Sequence, residues 1–182
     1  MAQRGFLARQ RIVRNAIRED VPFFLLPAAL VYSAGMVVSA WDLVRHLVRH
    51  QGSLDLLSVQ SLVSVQSLVG VALIGSGLTL NFVAAGTLRR SYSATLVVRE
   101  DHQLITHGLY RFTRHPIYLG TILVAIGVPV CVSSLYGLLT MAVLIPLFLN
   151  RIRIEERLLT DAFGAAYRTY REATSKLIPF IY

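Results

Sequence analysis

Long uncharged stretches divide this chain into apolar segments separated by short charged ones. Residues 21–41 carry no charge and, as a helix, would be about 30 Å long, which matches the hydrocarbon core of a bilayer. A second uncharged stretch runs from Leu56 to Leu88, and its membrane-spanning part is predicted to begin near Leu62. The pattern therefore predicts two membrane-spanning helices in the first half of the chain.

The third uncharged stretch, residues 115–150, is too long for one span and long enough for two short ones. Ser133, Ser134 and Gly137 lie near its middle and are typical turn residues. We therefore expect a helical hairpin here, which brings the predicted number of transmembrane helices to about four. Three glycines of the second predicted span would permit close helix packing: Gly70, Gly75 and Gly77.

Composition and charge agree with this pattern. Of the 182 residues, 54% are hydrophobic and only 15% are charged, which excludes an ordinary soluble domain and indicates an all-α integral membrane protein. The net charge of +8 arises mainly from residues 1–20, the connector at 89–115 and the tail from Arg151. Because basic residues near helix ends tend to stay cytoplasmic, we expect the connector and both termini to be cytoplasmic. The basic excess favours contact with anionic membrane lipid over nucleic acid.

The tail is predicted to form an amphipathic helix that carries two acidic residues. Counted at 100° per residue from Glu155, one apolar stripe comprises Leu158, Leu159, Ala162, Phe163, Ala166 and Tyr170. Glu155 and Glu156 flank the centre of this stripe and should point inward. Because buried carboxylates are costly unless paired, they are either in a salt bridge with Arg111, Arg114 or Arg151, or in a site that holds a cation or steers a proton.

The entrance to the third predicted span is unusually rich in histidine, arginine and tyrosine. It reads HQLITHGLYRFTRHPIYLG from His102 to Gly120. Pro116 suits the first position of a helix, which places His115 near the cap and Tyr118 in the first turn. Free N–H groups at this helix end, with Arg111 and Arg114 just before it, favour a carboxylate or phosphate of a ligand.

A ligand that uses both the basic entrance and the acidic pair must carry charges of both signs. S-adenosylmethionine has a sulfonium, an amino group, a carboxylate and an adenine suited to aromatic contact, and it is therefore the cofactor we expect. The chain has no glycine-rich dinucleotide fingerprint. No metal site is predicted, because His46 and His50 have no carboxylate or cysteine partner on their expected side.

The second half of the chain, roughly residues 99–182, resembles the isoprenylcysteine carboxyl methyltransferases, a family of membrane enzymes to which the phospholipid N-methyltransferases are related. The resemblance rests on the pattern H-x-L-(V/I)-T-x-G-x-Y-R-x-x-R-H-P-x-Y-x-G before a helical hairpin and E-E-x-x-L-x-x-x-F-G-x-x-Y-x-x-Y after it. It divides the chain into residues 1–98, with the N-terminal arm and the first two spans, and residues 99–182, the methyltransferase core.

The resemblance implies a cofactor pocket enclosed by the connector, the cytoplasmic end of the hairpin and the tail helix. A lipophilic or prenylated acceptor, such as a prenylcysteine carboxylate, would enter sideways from the bilayer. The residues carried over as cofactor contacts are His102, Gly108, Tyr110, His115, Tyr118, Glu155 and Glu156. As catalytic residues we expect Glu156, which could accept a proton from an amine or thiol, and Arg111 and Arg114, which could clamp an anionic acceptor.

Two alternatives remain at this point. Membrane sterol and steroid reductases, which use NADPH, share H-P-x-Y-x-G and the closing I-P-x-I-Y, but Ile117 and Thr121 stand where they usually carry asparagine and an acid. The other alternative is a non-catalytic membrane scaffold or small transporter with an ion-paired cytoplasmic cap. The acceptor and the oligomeric state stay open. The compartment would be the cytoplasmic membrane in a prokaryote and the endoplasmic reticulum in a eukaryote.

Overall fold

In the computed structural model, residues 24–49, 64–88, 104–179 and 181 are described. They form six α-helices, and the predicted all-α class is confirmed. The helices are α1 (Leu26–Arg49), α2 (Val65–Leu88), α3 (Pro116–Cys131), α4 (Leu135–Ala142), α5 (Leu144–Phe163) and α6 (Ala165–Ala173). A single 3₁₀ turn at Gly108–Arg111 precedes α3. The only extended pairing within the described ranges is one bridge between Thr113 and Ser175. The predicted boundary at residues 98 and 99 lies outside the described residues.

Three segments are long and apolar enough to cross a membrane: α1, α2 and the combined stretch Leu135–Phe163 of α4 and α5. The protein is therefore an integral membrane protein. Helix α3 has 16 residues and would be about 24 Å long, which is shorter than a typical bilayer core of about 30 Å. A fourth span through α3 stays a prediction.

The predicted hairpin turn lies between α3 and α4. Ser133 adopts a positive φ of 55°, and the Ser134 side chain caps α4 by accepting a hydrogen bond from the Gly137 N–H. Ser134 also donates to the Asp42 carboxylate of α1 at 2.6 Å. The turn of the predicted hairpin is confirmed, and it is tied to the first helix.

Helices α2 and α3 pack closely because glycines face each other. A Cβ atom on Gly77 would lie 2.5 Å from the Gly120 carbonyl oxygen, and one on Gly70 would overlap the backbone of Cys131. Gly75 has nothing within 4 Å of such an atom, so it takes no part in this contact. The close contact of α2 with α3 fixes the position of the α3 N-terminus, where the polar side chains gather.

The predicted amphipathic tail helix is corrected by the structure. Helix α5 begins at Leu144 and runs without a break through Glu155 and Glu156 to Phe163, so the acidic pair is part of the last membrane helix. Gly164, with φ of 56°, ends this helix and redirects the chain into α6. The redirection buries Tyr167 and leaves Ala166 exposed, which breaks the expected continuous stripe.

Candidate active site

Glu156 lies at the centre of a buried polar cluster on the inner side of α5. The residue is 8% exposed. One carboxylate oxygen, Oε1, accepts a hydrogen bond from the Arg114 Nε at 2.8 Å. The His115 Nε2 lies 3.5 Å from the same oxygen, too far for a well-formed hydrogen bond. The sequence prediction that this carboxylate points inward is confirmed.

Glu155 belongs to a second group of contacts beside the first. Its Oε2 accepts a hydrogen bond from the Tyr118 hydroxyl at 2.7 Å and lies 4.0 Å from the His115 Nδ1. The same tyrosine oxygen accepts a hydrogen bond from the Arg151 Nε at 2.7 Å. The acidic pair of α5 and the first turn of α3 therefore face each other directly.

Arg151 is 4% exposed and lies between aromatic rings. Its guanidinium carbon is 4.3 Å from the centre of the Phe24 ring and 6.0 Å from that of Tyr118. The Phe148 ring packs against both aromatic residues, with centroid distances of 5.5 Å to Phe24 and 5.6 Å to Tyr118. A cation over aromatic faces is stabilised by their quadrupoles. The aromatic rings therefore stabilise the buried Arg151 guanidinium in surroundings that are otherwise apolar.

The local sequence explains the geometry of the α3 entrance. Pro116 occupies the first turn of α3, and His115 is at the N-cap position with φ of −126°, as predicted. The histidine is 4% exposed, and its ring lies 5.6 Å from that of Tyr118. Because the proline needs no hydrogen-bond partner for its nitrogen, the helix can begin directly beneath the buried histidine.

Arg114 connects the acidic pair to the C-terminal segment. Besides Glu156, its guanidinium donates through Nη1 to the backbone carbonyls of Arg171, at 2.9 Å, and of Thr174. Its backbone N–H donates to the Ser175 carbonyl at 2.9 Å. The preceding residue, Thr113, is 3% exposed and donates through Oγ1 to the Leu177 carbonyl at 2.9 Å. Arg114 is thus engaged by protein groups on several sides.

Two tyrosines of α6 complete the cluster. Tyr167 is 1% exposed, and its ring packs edge-on against Tyr170 with a centroid distance of 5.9 Å. The Tyr170 hydroxyl donates to the Tyr110 carbonyl at 2.7 Å, and burial raises the pKa of Tyr170 to about 12. Burial and then the nearby Glu156 carboxylate raise the pKa of Tyr167 well above its usual value. Both hydroxyls therefore stay protonated at neutral pH.

An open polar cleft of about 490 Å³ adjoins the cluster. Its lining residues are Arg114, Glu156, Arg171, Thr174, Ser175, Lys176 and Ile181. The cleft gives the buried carboxylate a route to an aqueous surface.

The structure brings together five of the predicted site residues: Arg114, His115, Tyr118, Glu155 and Glu156. Tyr110 is 7% exposed and joins the cluster through its carbonyl. Gly108 starts the 3₁₀ turn with φ of 63° and packs near Thr87 of α2. Arg111 is exposed, with its guanidinium over the Phe112 ring. His102 lies outside the described residues.

Sequence reasoning missed three residues of the cluster. Arg151 was considered only as a salt-bridge partner, although its position one helical turn before Glu155 places both on one face of α5. Tyr167 appeared only as part of a pattern, and Thr113 was not singled out. No sequence signal marks Thr113, because its partners lie 63 and 64 residues further along the chain.

The fold and site define a helical membrane protein with a buried, charged and aromatic site at one end of its helices. Residues 68–161, just over half of the chain, match the family described as isoprenylcysteine carboxyl methyltransferase (ICMT). The chain belongs to this family.

Comparisons with individual proteins also indicate this family. The chain is 32% identical over 115 residues to protein-S-isoprenylcysteine O-methyltransferase A of Arabidopsis thaliana, covering 62% of this chain and 58% of the relative. It is 33% identical over 118 residues to protein-S-isoprenylcysteine O-methyltransferase of Saccharomyces cerevisiae, covering 63% and 49%. It is also 44% identical over 72 residues to methanethiol S-methyltransferase 1 of Bradyrhizobium diazoefficiens, covering 40% and 25%.

A solved structure of the eukaryotic intramembrane Ras methyltransferase ICMT superposes with a TM-score of 0.68 at 25% identity. The superposition covers 82% of this chain and 52% of that structure. The chain thus spans less than two thirds of the length of these relatives.

Proposed function

We propose that this chain is an S-adenosylmethionine-dependent methyltransferase that acts on a lipophilic acceptor, such as a prenylcysteine carboxylate, at the cytoplasmic face of a membrane. The observation that carries this proposal is the contact of the α3 entrance with the acidic pair of α5: Tyr118 reaches Glu155, and Arg114 reaches Glu156. Family membership favours it over the reductase and scaffold alternatives.

The residues present fit the cofactor. The two carboxylates would supply negative charge to a ligand with a sulfonium and an ammonium group, and the Tyr118 ring beside Glu155 suits a cation. Two buried polar atoms at the cluster, the His115 Nε2 and the Tyr167 hydroxyl, have no hydrogen-bond partner among the described residues. Buried polar groups are normally paired, so unpaired ones beside a cleft suit a bound ligand. His102, Gly108 and Tyr110 stay proposed contacts through the family resemblance.

S-adenosylmethionine supplies an electrophilic methyl carbon. The chain would contribute position and charge: Glu155 and Glu156 hold the positive ligand, and the apolar wall of Phe24 and Phe148 excludes water from the acceptor side. A carboxylate acceptor needs no base, because it is already an anion. The acceptor carboxylate does need a positively charged side chain that binds it.

Three arginines are candidates for that clamp. Arg111 and Arg114 were predicted from the sequence, but Arg111 is exposed, and Arg114 lies toward Glu156 and the C-terminal segment, away from the aromatic rings. Arg151 is buried, borders the aromatic wall and contacts Tyr118 directly. We therefore favour Arg151 for holding an acceptor carboxylate through charge-assisted hydrogen bonds.

A small thiol is a second candidate acceptor, favoured by the similarity to methanethiol S-methyltransferase 1. A thiol must lose its proton before or during transfer, and Glu156 or His115 could accept it. The two acceptors differ in size and in the need for a base, so one experiment separates them.

The purified protein in detergent is incubated with methyl-labelled S-adenosylmethionine and either S-farnesylcysteine or methanethiol. The proposal expects label in a base-labile methyl ester of farnesylcysteine, with Arg151→Gln reducing ester formation and Tyr136→Phe as the exposed control. Label in dimethyl sulfide alone would establish the thiol as the acceptor. If neither product carries label although the protein is folded, both proposed acceptors are contradicted.

A further inference from the structure

The open cleft beside the polar cluster is formed mainly by the end of α6 and the segment that follows it. On that side it is lined by Arg171, Thr174, Ser175, Lys176 and Ile181. Of the buried cluster, only Arg114 and Glu156 also line the cleft. Tyr118 and Glu155, which face each other across α3 and α5, are not among its lining residues. The cleft is therefore a surface feature of its own, which shares one ion pair with the candidate active site.

Positive charge predominates in this cleft. The Arg114 guanidinium lies 2.8 Å from the Glu156 carboxylate, so this pair contributes no net charge. Arg171 and Lys176 add two positive charges to the lining. Within the described part of the chain, no acidic side chain forms a salt bridge with the Arg171 guanidinium. The cleft therefore favours an anionic group, and a phosphate could accept charge-assisted hydrogen bonds from both cations.

Apolar side chains are exposed next to these charges. Ile181 lines the cleft and is 81% exposed, and Ile178 of the same segment is 41% exposed. Phe112, which is 43% exposed, is joined to this segment because its carbonyl accepts a hydrogen bond from the Ser175 N–H at 3.2 Å. The Arg111 guanidinium lies over the Phe112 ring. Cations beside exposed aliphatic and aromatic side chains are typical of the membrane interface.

The cleft also lies near the ends of apolar helices. Glu156 is in the last two turns of the apolar stretch Leu135–Phe163, which is long enough to cross a membrane. Arg114 comes two residues before Pro116, where the uncharged helix α3 begins. Charged residues at such helix ends are at the level of lipid headgroups. A free phosphate compound would use only the cations, whereas a phospholipid would also use the exposed apolar side chains.

We propose that this cleft binds the phosphate group of an anionic phospholipid. Arg171 and Lys176 donate charge-assisted hydrogen bonds to the phosphate, and the acyl chains contact Ile178 and Ile181. The inference goes beyond the proposed function, because this lipid is bound rather than methylated and its binding does not need the methyl donor. It assigns a membrane-lipid contact to the segment that follows α6.

The test compares three ligands that share a phosphate group. The full chain, purified in a nonionic detergent, is titrated with dihexanoyl phosphatidylglycerol, dihexanoyl phosphatidylcholine or glycerol 3-phosphate, and native mass spectrometry counts the bound molecules. We expect one retained phosphatidylglycerol per chain and about tenfold lower affinity for each of the other two. Phosphatidylcholine has no net charge, and glycerol 3-phosphate has no acyl chains.

Variants distinguish the cleft from general attraction to a basic surface. Arg171→Gln and Lys176→Gln should each lower the affinity for phosphatidylglycerol about three- to tenfold, because each removes a charge-assisted hydrogen bond. The matched control is Arg168→Gln, which removes the same charge from an exposed position of α6 outside the cleft. Ile181→Ser should weaken binding about threefold, whereas Ile154→Ser, at an exposed position of α5, should not. The unfolding midpoint without lipid shows that each variant is folded.

Several results would overturn the inference. If Arg168→Gln and Arg171→Gln lose the same affinity, the lipid responds only to the overall charge of the protein. If glycerol 3-phosphate binds as tightly as phosphatidylglycerol, the cleft is a site for a free phosphate compound. Equal affinity for phosphatidylcholine, or no retained phosphatidylglycerol, would also overturn it. None of these results bears on the proposed methyl transfer, which does not depend on this lipid.

Discussion

The hydroxyl of Tyr118 joins Arg151 to Glu155. It accepts a hydrogen bond from the arginine Nε and donates one to the carboxylate, each at 2.7 Å. One atom therefore couples a buried cation beside the aromatic rings to the acidic pair of α5. If the proposed function holds, this atom lies between the acceptor and the donor.

Replacing Tyr118 with phenylalanine should weaken both stability and ligand binding. The change leaves Arg151 and Glu155 without their shared partner, which should cost about 1–3 kcal/mol in the free energy of unfolding. Chemical unfolding in detergent micelles measures this loss, and calorimetry should show about tenfold weaker binding of S-adenosylhomocysteine. Tyr136→Phe, at a site 68% exposed, is the control and should change neither value. Wild-type affinity in Tyr118→Phe would remove this hydroxyl from the site.

Replacing Arg114 with methionine should be strongly destabilising. The Arg114 and Glu156 side chains are only 7% and 10% exposed, so the change removes the arginine from a buried carboxylate, at a cost of about 3–5 kcal/mol. Adding Glu156→Gln should recover part of that loss, because the charge is removed as well. A double-mutant cycle by chemical unfolding measures the coupling. Strictly additive losses would mean that the ion pair does not hold these two side chains together.

Replacing Gly77 with alanine should disturb the packing of α2 on α3. The new Cβ would lie 2.5 Å from the Gly120 carbonyl oxygen, and overpacking of this kind costs about 1–3 kcal/mol. Gly75→Ala is the matched control in the same helix, since nothing lies within 4 Å of its Cβ position. Thermal unfolding in detergent should show a lower midpoint for Gly77→Ala alone. Equal midpoints for the two variants would contradict the close contact between these helices.

Replacing Thr113 with valine should loosen the C-terminal segment. Valine has nearly the same shape, but it cannot donate to the Leu177 carbonyl, and the loss should be about 1–2 kcal/mol. Thr113→Ser keeps the donor and should lose less. Limited proteolysis should cleave the Thr113→Val variant faster after residue 173, where the segment begins. The same cleavage rate in both variants would show that this hydrogen bond does not anchor the segment.

Features that depend on neighbouring residues could be predicted from the sequence. The turn at Ser133 and Ser134, the start of α3 at Pro116 and the inward direction of Glu156 all follow from local geometry and hydrophobic periodicity. The family resemblance then connected the two halves of the site. It correctly placed Tyr118 near Glu155, 37 residues apart.

Features that depend on a backbone torsion or on distant partners were missed. An isolated glycine is compatible with a helical pattern, so Gly164 did not reveal that a positive φ ends α5 there. Arg151 was undervalued because its aromatic partner Phe24 lies just before the first helix, more than 100 residues earlier in the chain. The unpaired state of Tyr167 is a property of the packed protein, and no single segment of the sequence encodes it.

The most direct test of the central claim is a calorimetric titration of the detergent-purified protein with S-adenosylmethionine and, separately, with NADPH. We expect saturable 1:1 binding of S-adenosylmethionine, loss of that binding in Glu156→Ala, and no binding of NADPH. Binding of NADPH, or wild-type affinity for S-adenosylmethionine in a folded Glu156→Ala variant, would contradict the claim that the acidic pair and the α3 entrance form one site for a sulfonium nucleoside.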